Sequence, residues 1–289
     1  MTRFTIEPSG PFDLSRSIGF LETWPVTRRP AEGAVLRFGY CAEHDWRPVG
    51  IRVAQDGDRV EVEATGPGED ADDLPGQVAR ILSLDVDATV VDQVAGRDPV
   101  VARLVNAAPG LRPVCFWTPW EAACWSILTQ RTSRRTASVF RRRISEQLGT
   151  PVAVDGTEVA TFPSPNVLLG ATDLPGVNQV KLDRIHGLAA AALDGTLTAA
   201  TLRGMPSDDA LATLRTLPGV GPFSAGLILI RGAGSPDVFT TGEPRLLAAV
   251  RTAYQLSESA ADDEYHAIAE HWRPLRSWVS FWFRSSAGN

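Results

Sequence analysis

The sequence predicts an α+β protein in two parts: a small amino-terminal domain of antiparallel sheet plus helix over residues 1–107, then an all-helical region over residues 108–289. Three observations carry that prediction. Short alternating apolar runs bounded by turn residues are confined to the first third of the chain, and helical periodicity takes over from Leu111. The helical part also holds two Leu-Pro-Gly-Val turns, each followed by a long helical segment. At 289 residues the chain is long enough for two or three cooperating units with a sizeable core.

In the first part, residues 3–6, 35–41, 50–53 and 60–64 read as strands, and Gln55-Asp56-Gly57-Asp58 reads as a hairpin turn. Helical stretches follow near residues 74–84 and 99–105. No chemistry is legible there. The second part opens on Thr118-Pro119-Trp120-Glu121, a capping box with proline at the first helical position, which fixes where that helix begins. Trp120, Cys124, Ile127 and Leu128 recur at helical spacing and are expected to face the core, with Ser126, Thr129 and Gln130 on other faces. The helix is expected to end at Gln130 and Arg131, and Thr132-Ser133 to start another. Residues 131–143 hold six arginines, a pattern that suits a solvated helix face as well as a phosphate-contacting one.

The two Leu-Pro-Gly-Val turns differ at one position. Leu174-Pro175-Gly176-Val177 is followed by Asn178, whereas Leu217-Pro218-Gly219-Val220 is followed by Gly221. Glycines let backbone amides turn outward with no Cβ in the way, so the second turn and the helix start after it can hold a phosphate. The first reads as a structural turn. A helix is predicted before the second turn, begun by Ser207 with Asp208 and Asp209. A dinucleotide fingerprint would need a buried strand there and a third glycine three positions on, and neither is present. A plain turn between two helices is the remaining alternative.

Charge and composition exclude several classes. A net charge of −6 argues against coating nucleic acid by bulk charge, so any such contact is local. Cys41, Cys115 and Cys124 make neither a disulfide framework nor a metal set and are expected as buried thiols. His44, His186, His266 and His271 show no ligand spacing, so no metal is assigned. The first residues lack an apolar signal region, and no run approaches a membrane span. An intracellular, soluble protein is expected.

Leu217-Pro-Gly-Val-Gly-Pro-Phe-Ser-Ala225, Pro236-Asp-Val-Phe239 and the carboxylate of Glu243 together resemble the helix-hairpin-helix DNA glycosylase superfamily, and within it the 3-methyladenine DNA glycosylase II branch. The similarity extends to residues 118–133, 192–197 and 269–278, and to Phe12-Asp13 and Gly19-Phe20-Leu21 near the start. The resemblance implies a helical glycosylase region of two subdomains flanking a cleft, and double-stranded DNA with a damaged base as partner. It implies a monomer of the cytoplasm, associated with the nucleoid. No resident cofactor is implied, and a monovalent cation bridging the hairpin to a DNA phosphate stays open.

The implied chemistry rests on Glu243. Breaking an N-glycosidic bond requires a carboxylate that stabilises a cation-like sugar and presents water to its anomeric carbon, after the base has left the stack. The family usually has aspartate at this position. One more methylene displaces the carboxylate by about 1.5 Å, enough to lower the rate on the order of a hundredfold unless the loop compensates. Pro244 suits the first position of the following helix, which makes Glu243 its N-cap, yet glutamate is a poor cap. Asp237 is expected to form the loop, with a second-choice catalytic role open.

The remaining roles follow the motif. Gly219, Gly221 and Ser224 are implied to grip the DNA backbone. Gln130 and Arg131 are implied to fill the gap left by the expelled nucleotide, where relatives usually place an apolar wedge. Phe223 stands where strand-cleaving relatives keep a lysine, so no lyase step is expected. Lys181, the only lysine, reads as a surface charge. Phe223 and Trp272 are implied as aromatic walls that attract a cationic methylated purine, although Trp272 also suits the core beside Leu275, Trp278, Val279 and Trp282. The expected activity is excision of alkylated purines of the 3-methyladenine or 7-methylguanine type. A lesion-binding protein that has lost the chemistry, and a glycosylase for a different modified base, remain as alternatives.

Overall fold

The computed structural model of the chain describes residues 1–23, 31–32 and 34–286. The amino-terminal part is a five-stranded antiparallel sheet with strand order β1-β5-β4-β3-β2, formed by β1 (Thr2–Ile6), β2 (Ala31–Glu32), β3 (Val35–Cys41), β4 (Pro48–Asp56) and β5 (Arg59–Thr65). Helix α1 (Leu14–Thr23) falls between β1 and β2, and α2 (Leu74–Ile81) follows β5. Period-two alternation sets the register: Leu36, Phe38 and Tyr40 pair with Val53, Ile51 and Val49, which places all six on one buried face. Leu14, Ile18 and Leu21 of α1 and Leu74, Val78 and Ile81 of α2 cover that face.

The opposite face is closed by an element the sequence reading left out. Residues 151–160 form a hairpin, β6 (Pro151–Val154) and β7 (Thr157–Ala160), inside the otherwise helical region. Gly39 and Gly50 lie opposite one another in the sheet and make room for it. A Cβ on Gly50 would lie 2.5 Å from Cγ2 of Val154, and one on Gly39 would lie 2.9 Å from Cγ2 of Val152. Asp155 pairs with both Arg37 and Arg52 across the junction. The overlooked signal is Val152-Ala-Val154-Asp155-Gly156, alternation ending in an Asp-Gly turn whose two residues have φ of 53° and 77°.

The helices after α2 are α3 (Val91–Arg97), α4 (Pro99–Ala107), α5 (Pro119–Leu128), α6 (Arg134–Leu148), α7 (Pro165–Leu169), α8 (Gln179–Leu193) and α9 (Ala199–Arg203). They continue with α10 (Ser207–Arg215), α11 (Pro222–Leu227), α12 (Pro244–Tyr254), α13 (Asp262–Glu270) and α14 (Arg276–Ser286). Two further cores form among them. One joins α5 to residues 162–238, and the other joins Ala88, Val91, Val94 and Val101 to residues 239–283. Residues 88–107, assigned by sequence to the amino-terminal domain, thus pack against the far end of the chain.

Thr118 caps α5, accepting a hydrogen bond from the Glu121 amide at 3.1 Å, but Glu121 does not close the box. Its carboxylate is buried and bonds to Arg141 at 2.6 Å instead, and burial pushes it above the usual carboxylate range. All ten residues of α5, Ser126 included, are buried, because helices and sheet elements surround it. Ser207 begins α10, but the cap position is Pro206 and no side chain caps it.

Two outcomes follow from this packing. Gly50→Val should wedge the hairpin off the sheet and lower the unfolding free energy by about 1–3 kcal/mol, read from the urea midpoint. All three cysteines are buried, and burial pushes the Cys41 thiol up to about 12. A thiol reagent at pH 8 should therefore label no cysteine in the native protein and all of them in guanidinium chloride.

Candidate active site

Helix α10 stops at a tight turn and α11 starts. Gly219 has φ of +78°, where a side chain is strained, and its Cβ would also lie 2.5 Å from Cδ of Arg184. Gly221 is the N-cap of α11 with extended backbone and no capping side chain. The earlier turn repeats the bend, with Gly176 at φ +77°, but there Asn178 caps its own helix by accepting from the Lys181 amide at 3.0 Å. The side-chain cap present at the first helix start is thus missing from the second, which suits the second to an outside anion. Ser224 lies in the first turn of α11 and is buried.

Polar side chains lash this turn to its neighbours. Gln130 Nε2 donates to the Gly219 carbonyl at 2.7 Å, while Gln130 Oε1 accepts from Arg184 Nη1 at 2.5 Å. Gln130 is therefore engaged on the hairpin. Arg131 beside it is exposed and left-handed, with φ of 51°. Lys181 is no simple surface charge: its ammonium donates to the Leu128 carbonyl at 2.9 Å and to Thr132 at 2.8 Å, closing the end of α5.

After α11 the chain makes a π-helical turn, Ile228–Gly232, which carries Ile230 and Arg231 into a cleft of roughly 670 Å³. The loop into α12 lies close over α11. A Cβ on Gly226 would lie 3.1 Å from Thr240 Oγ1, and one on Gly242 would lie 3.5 Å from the Phe223 backbone. That approach brings Glu243 and Phe223 into the same cleft. Phe223 is 45% exposed. Glu243 takes the N-cap position of α12, with Pro244 next, but its side chain makes no capping bond. Its Oε1 instead forms an ion pair with Arg284 Nε of α14 at 2.6 Å. Arg134, Arg231 and Arg245 join Arg284 on the walls, so four arginines face one carboxylate. Burial, then Arg284 and Arg245, pull the Arg134 guanidinium below its ordinary range.

One expected site residue lies elsewhere, and Asp237 takes the structural role in the loop that was expected of it. Trp272 is fully buried in the core of residues 239–283, where it meets Phe239 edge-on and donates Nε1–H to Tyr254 at 3.0 Å. It is not a pocket wall, because an indole in this turn between α13 and α14 buries more apolar area in the core than at a cleft. Asp237 is held by Arg276 and Arg273, with Arg276 Nε at 2.8 Å, and it does not line the cleft. The aromatic lining comes from Phe20, Phe116, Trp125, Phe223 and Phe281. Of these only Phe223 was legible as a site residue. Phe281 and Arg284 share one face of α14 at three-residue spacing, a signal hidden by the aromatic density of that helix. Among the described residues no group of three or more His, Cys, Asp or Glu is placed to hold a metal.

No family model matches the chain. Over 205 residues it is 32% identical to the probable bifunctional transcriptional activator/DNA repair enzyme AlkA of Mycobacterium tuberculosis, an overlap of 70% of this chain and 40% of that protein. The chain thus spans well under half the length of that relative. The DNA-3-methyladenine glycosylase of Bacillus subtilis is 26% identical over 205 residues, covering 70% of this chain and 68% of the relative. Among solved structures, the 3-methyladenine DNA-glycosylase from Archaeoglobus fulgidus superposes with a TM-score of 0.80 at 20% identity, over 99% of this chain and 98% of that one. The chain is thus similar in sequence to DNA-3-methyladenine glycosylases and shares the fold of a solved one.

In this chain the hairpin, the π-helical turn and the loop into α12 are consecutive in sequence and converge on one cleft. The cleft needs the amino-terminal part as well, since Phe20 reaches it from α1. Gln130→Ala removes the bond to the Gly219 carbonyl of the hairpin and the bond from Arg184 of α8. It should lower stability by about 1–3 kcal/mol in a urea titration.

Proposed function

We propose that the chain is a monofunctional DNA N-glycosylase that removes alkylated bases from double-stranded DNA and leaves an abasic site. The observation that carries this reading is the placement of Glu243 inside the cleft, alongside Phe223 and the helix that starts at the Gly219–Gly221 turn. An extruded nucleotide entering there has its base against Phe223 and its sugar beside the carboxylate. The ion pair with Arg284, with Nε 2.6 Å from Oε1, holds that oxygen of Glu243 in place. Oε2 makes no hydrogen bond among the described residues, and it is the oxygen assigned to the cation-like sugar and the attacking water.

The sugar-phosphate backbone is gripped at Gly219, Gly221 and the amide of Ser224. A monovalent cation at the hairpin would have to share the Gly219 carbonyl with Gln130. Arg131, exposed and beside the hairpin, fills the gap, with Gln130 holding the junction that presents it. No strand cleavage accompanies excision, because Phe223 offers no amine for a Schiff base. The base class follows the names of the relatives, alkylated purines of the 3-methyladenine kind. A monomer working on the bacterial-type nucleoid in the cytoplasm fits this reading, and among the described residues no helix is long and apolar enough to cross a membrane.

A second reading is a lesion-binding protein without turnover, favoured by the Glu243–Arg284 ion pair, which ties up half of the one carboxylate. Incubating methylated duplex with the protein and then heating in alkali separates the two, since only an enzyme yields strand breaks at abasic sites. Glu243→Gln should lower single-turnover excision by at least about a hundredfold while leaving duplex affinity within about threefold. Unchanged excision by that variant removes Glu243 from the chemistry.

A further inference from the structure

A glutamate carboxylate hangs on one more rotatable bond than an aspartate carboxylate and reaches about 1.5 Å further from the backbone. The backbone of Glu243 is held by the loop that precedes it. The Val238 amide donates to Ser277 at 3.0 Å, Thr241 Oγ1 donates to Asp262 at 2.6 Å, and Gly242 lies against the backbone of Phe223. Those contacts fix where the Glu243 side chain starts and leave open where its carboxylate ends. No capping bond to α12 fixes it either.

Of the four cleft arginines, one reaches that carboxylate. Arg231 is committed elsewhere: Nε donates to the Val114 carbonyl at 3.0 Å, and the guanidinium lies 5.3 Å from the ring centroid of Phe20 and 5.4 Å from that of Phe281. Arg134 and Arg245 are exposed and make no ion pair among the described residues. Arg284 has its Nε 2.6 Å from Oε1 of Glu243. Its helix is firmly seated, with Trp278, Val279, Phe281, Trp282 and Phe283 all buried. The free end of a long side chain is thus tied to a packed helix.

The pair has two effects of opposite sign on a cation-like sugar. A guanidinium beside the carboxylate weakens its attraction for positive charge, but the two side chains are 23% and 27% exposed, so solvent screening limits that loss to less than about tenfold. Misplacing a reacting group by about 1 Å costs on the order of a hundredfold. Positioning therefore outweighs neutralisation.

We propose that Arg284 is a positioning residue that adapts the site to glutamate: by holding Oε1 it takes up the extra methylene and turns Oε2 toward the sugar. This rests on the reading of Glu243 as the carboxylate of the reaction.

The test compares single-turnover excision from methylated duplex by the full chain as wild type, Arg284→Met, Glu243→Asp and the double variant. Arg284→Met should lower the rate within the bound complex about 10- to 100-fold while duplex affinity stays within about threefold, a split that loss of a phosphate contact would not give. Glu243→Asp falls short of Arg284 and should lose as much. The double variant should be no more than about threefold below the slower single variant, because both changes break the same pair. Losses that multiply, a faster Arg284→Met protein, or a loss confined to affinity overturn the proposal. Glu243→Asp at or above the wild-type rate overturns it with Arg284 untouched, which decides the matter should Arg284→Met fail to fold. Absence of abasic sites with wild-type protein removes the enzymatic reading and this inference together, whereas the other adverse outcomes leave the enzyme standing.

Discussion

One buried arginine joins the parts from which the cleft is made. Arg80 of α2 donates Nη1 to the carbonyls of Phe116 at 3.2 Å and Gly232 at 2.5 Å, and Nη2 to that of Trp117. Its counter-charge is Glu43, whose Oε1 lies 3.4 Å from Nη2 and whose Oε2 accepts from the Ala199 amide at 2.7 Å. Both side chains are only 3% exposed. The pair connects the amino-terminal sheet unit, the segment leading into α5, the start of α9 and the end of the π-helical turn. Replacing such a pair with apolar groups can be neutral, but removing one partner leaves a buried charge and is strongly destabilising. Here the same bonds fix Gly232, the neighbour of Arg231, so the position of a cleft residue depends on an interaction outside the cleft.

Local and global charge differ in sign. The chain carries a net charge of −6, while the cleft walls hold four arginines against one glutamate. Such a distribution confines attraction for a polyanion to one concave surface and leaves the remaining surface repulsive, which orients an approaching strand. The arginines divide by exposure. Those open to solvent can exchange water for phosphate, and those tied to a carbonyl, a ring or a carboxylate keep their place when the partner arrives.

Much of this was legible in the sequence, and the limits have physical causes. The strands 35–41 and 60–64 read correctly because one face is buried and the alternation is clean. The turn at Gly219 read correctly because few residues tolerate a positive φ and because its twin at Gly176 differs by a single capping residue. Helix α5 gave the wrong contrast between faces, since a helix buried on every side has no polar stripe to detect. Trp272 sits near cleft-forming segments in sequence, but its edge-on contact with Phe239 and its bond to Tyr254 place it in the core instead. Phe20, Arg231 and Arg284 come from three distant segments, and no spacing rule links them before the chain folds.

The core that unites residues 88–101 with residues 239–283 has an implication for biosynthesis. Its halves are separated by the whole middle of the polypeptide, so the loop between them closes only after α14 has left the ribosome. Phe281 and Arg284 are on that helix. A nascent chain can thus bury its sheet and its first helical layer while still lacking one side of the cleft, and competence to engage a nucleotide arises only as translation of that helix finishes.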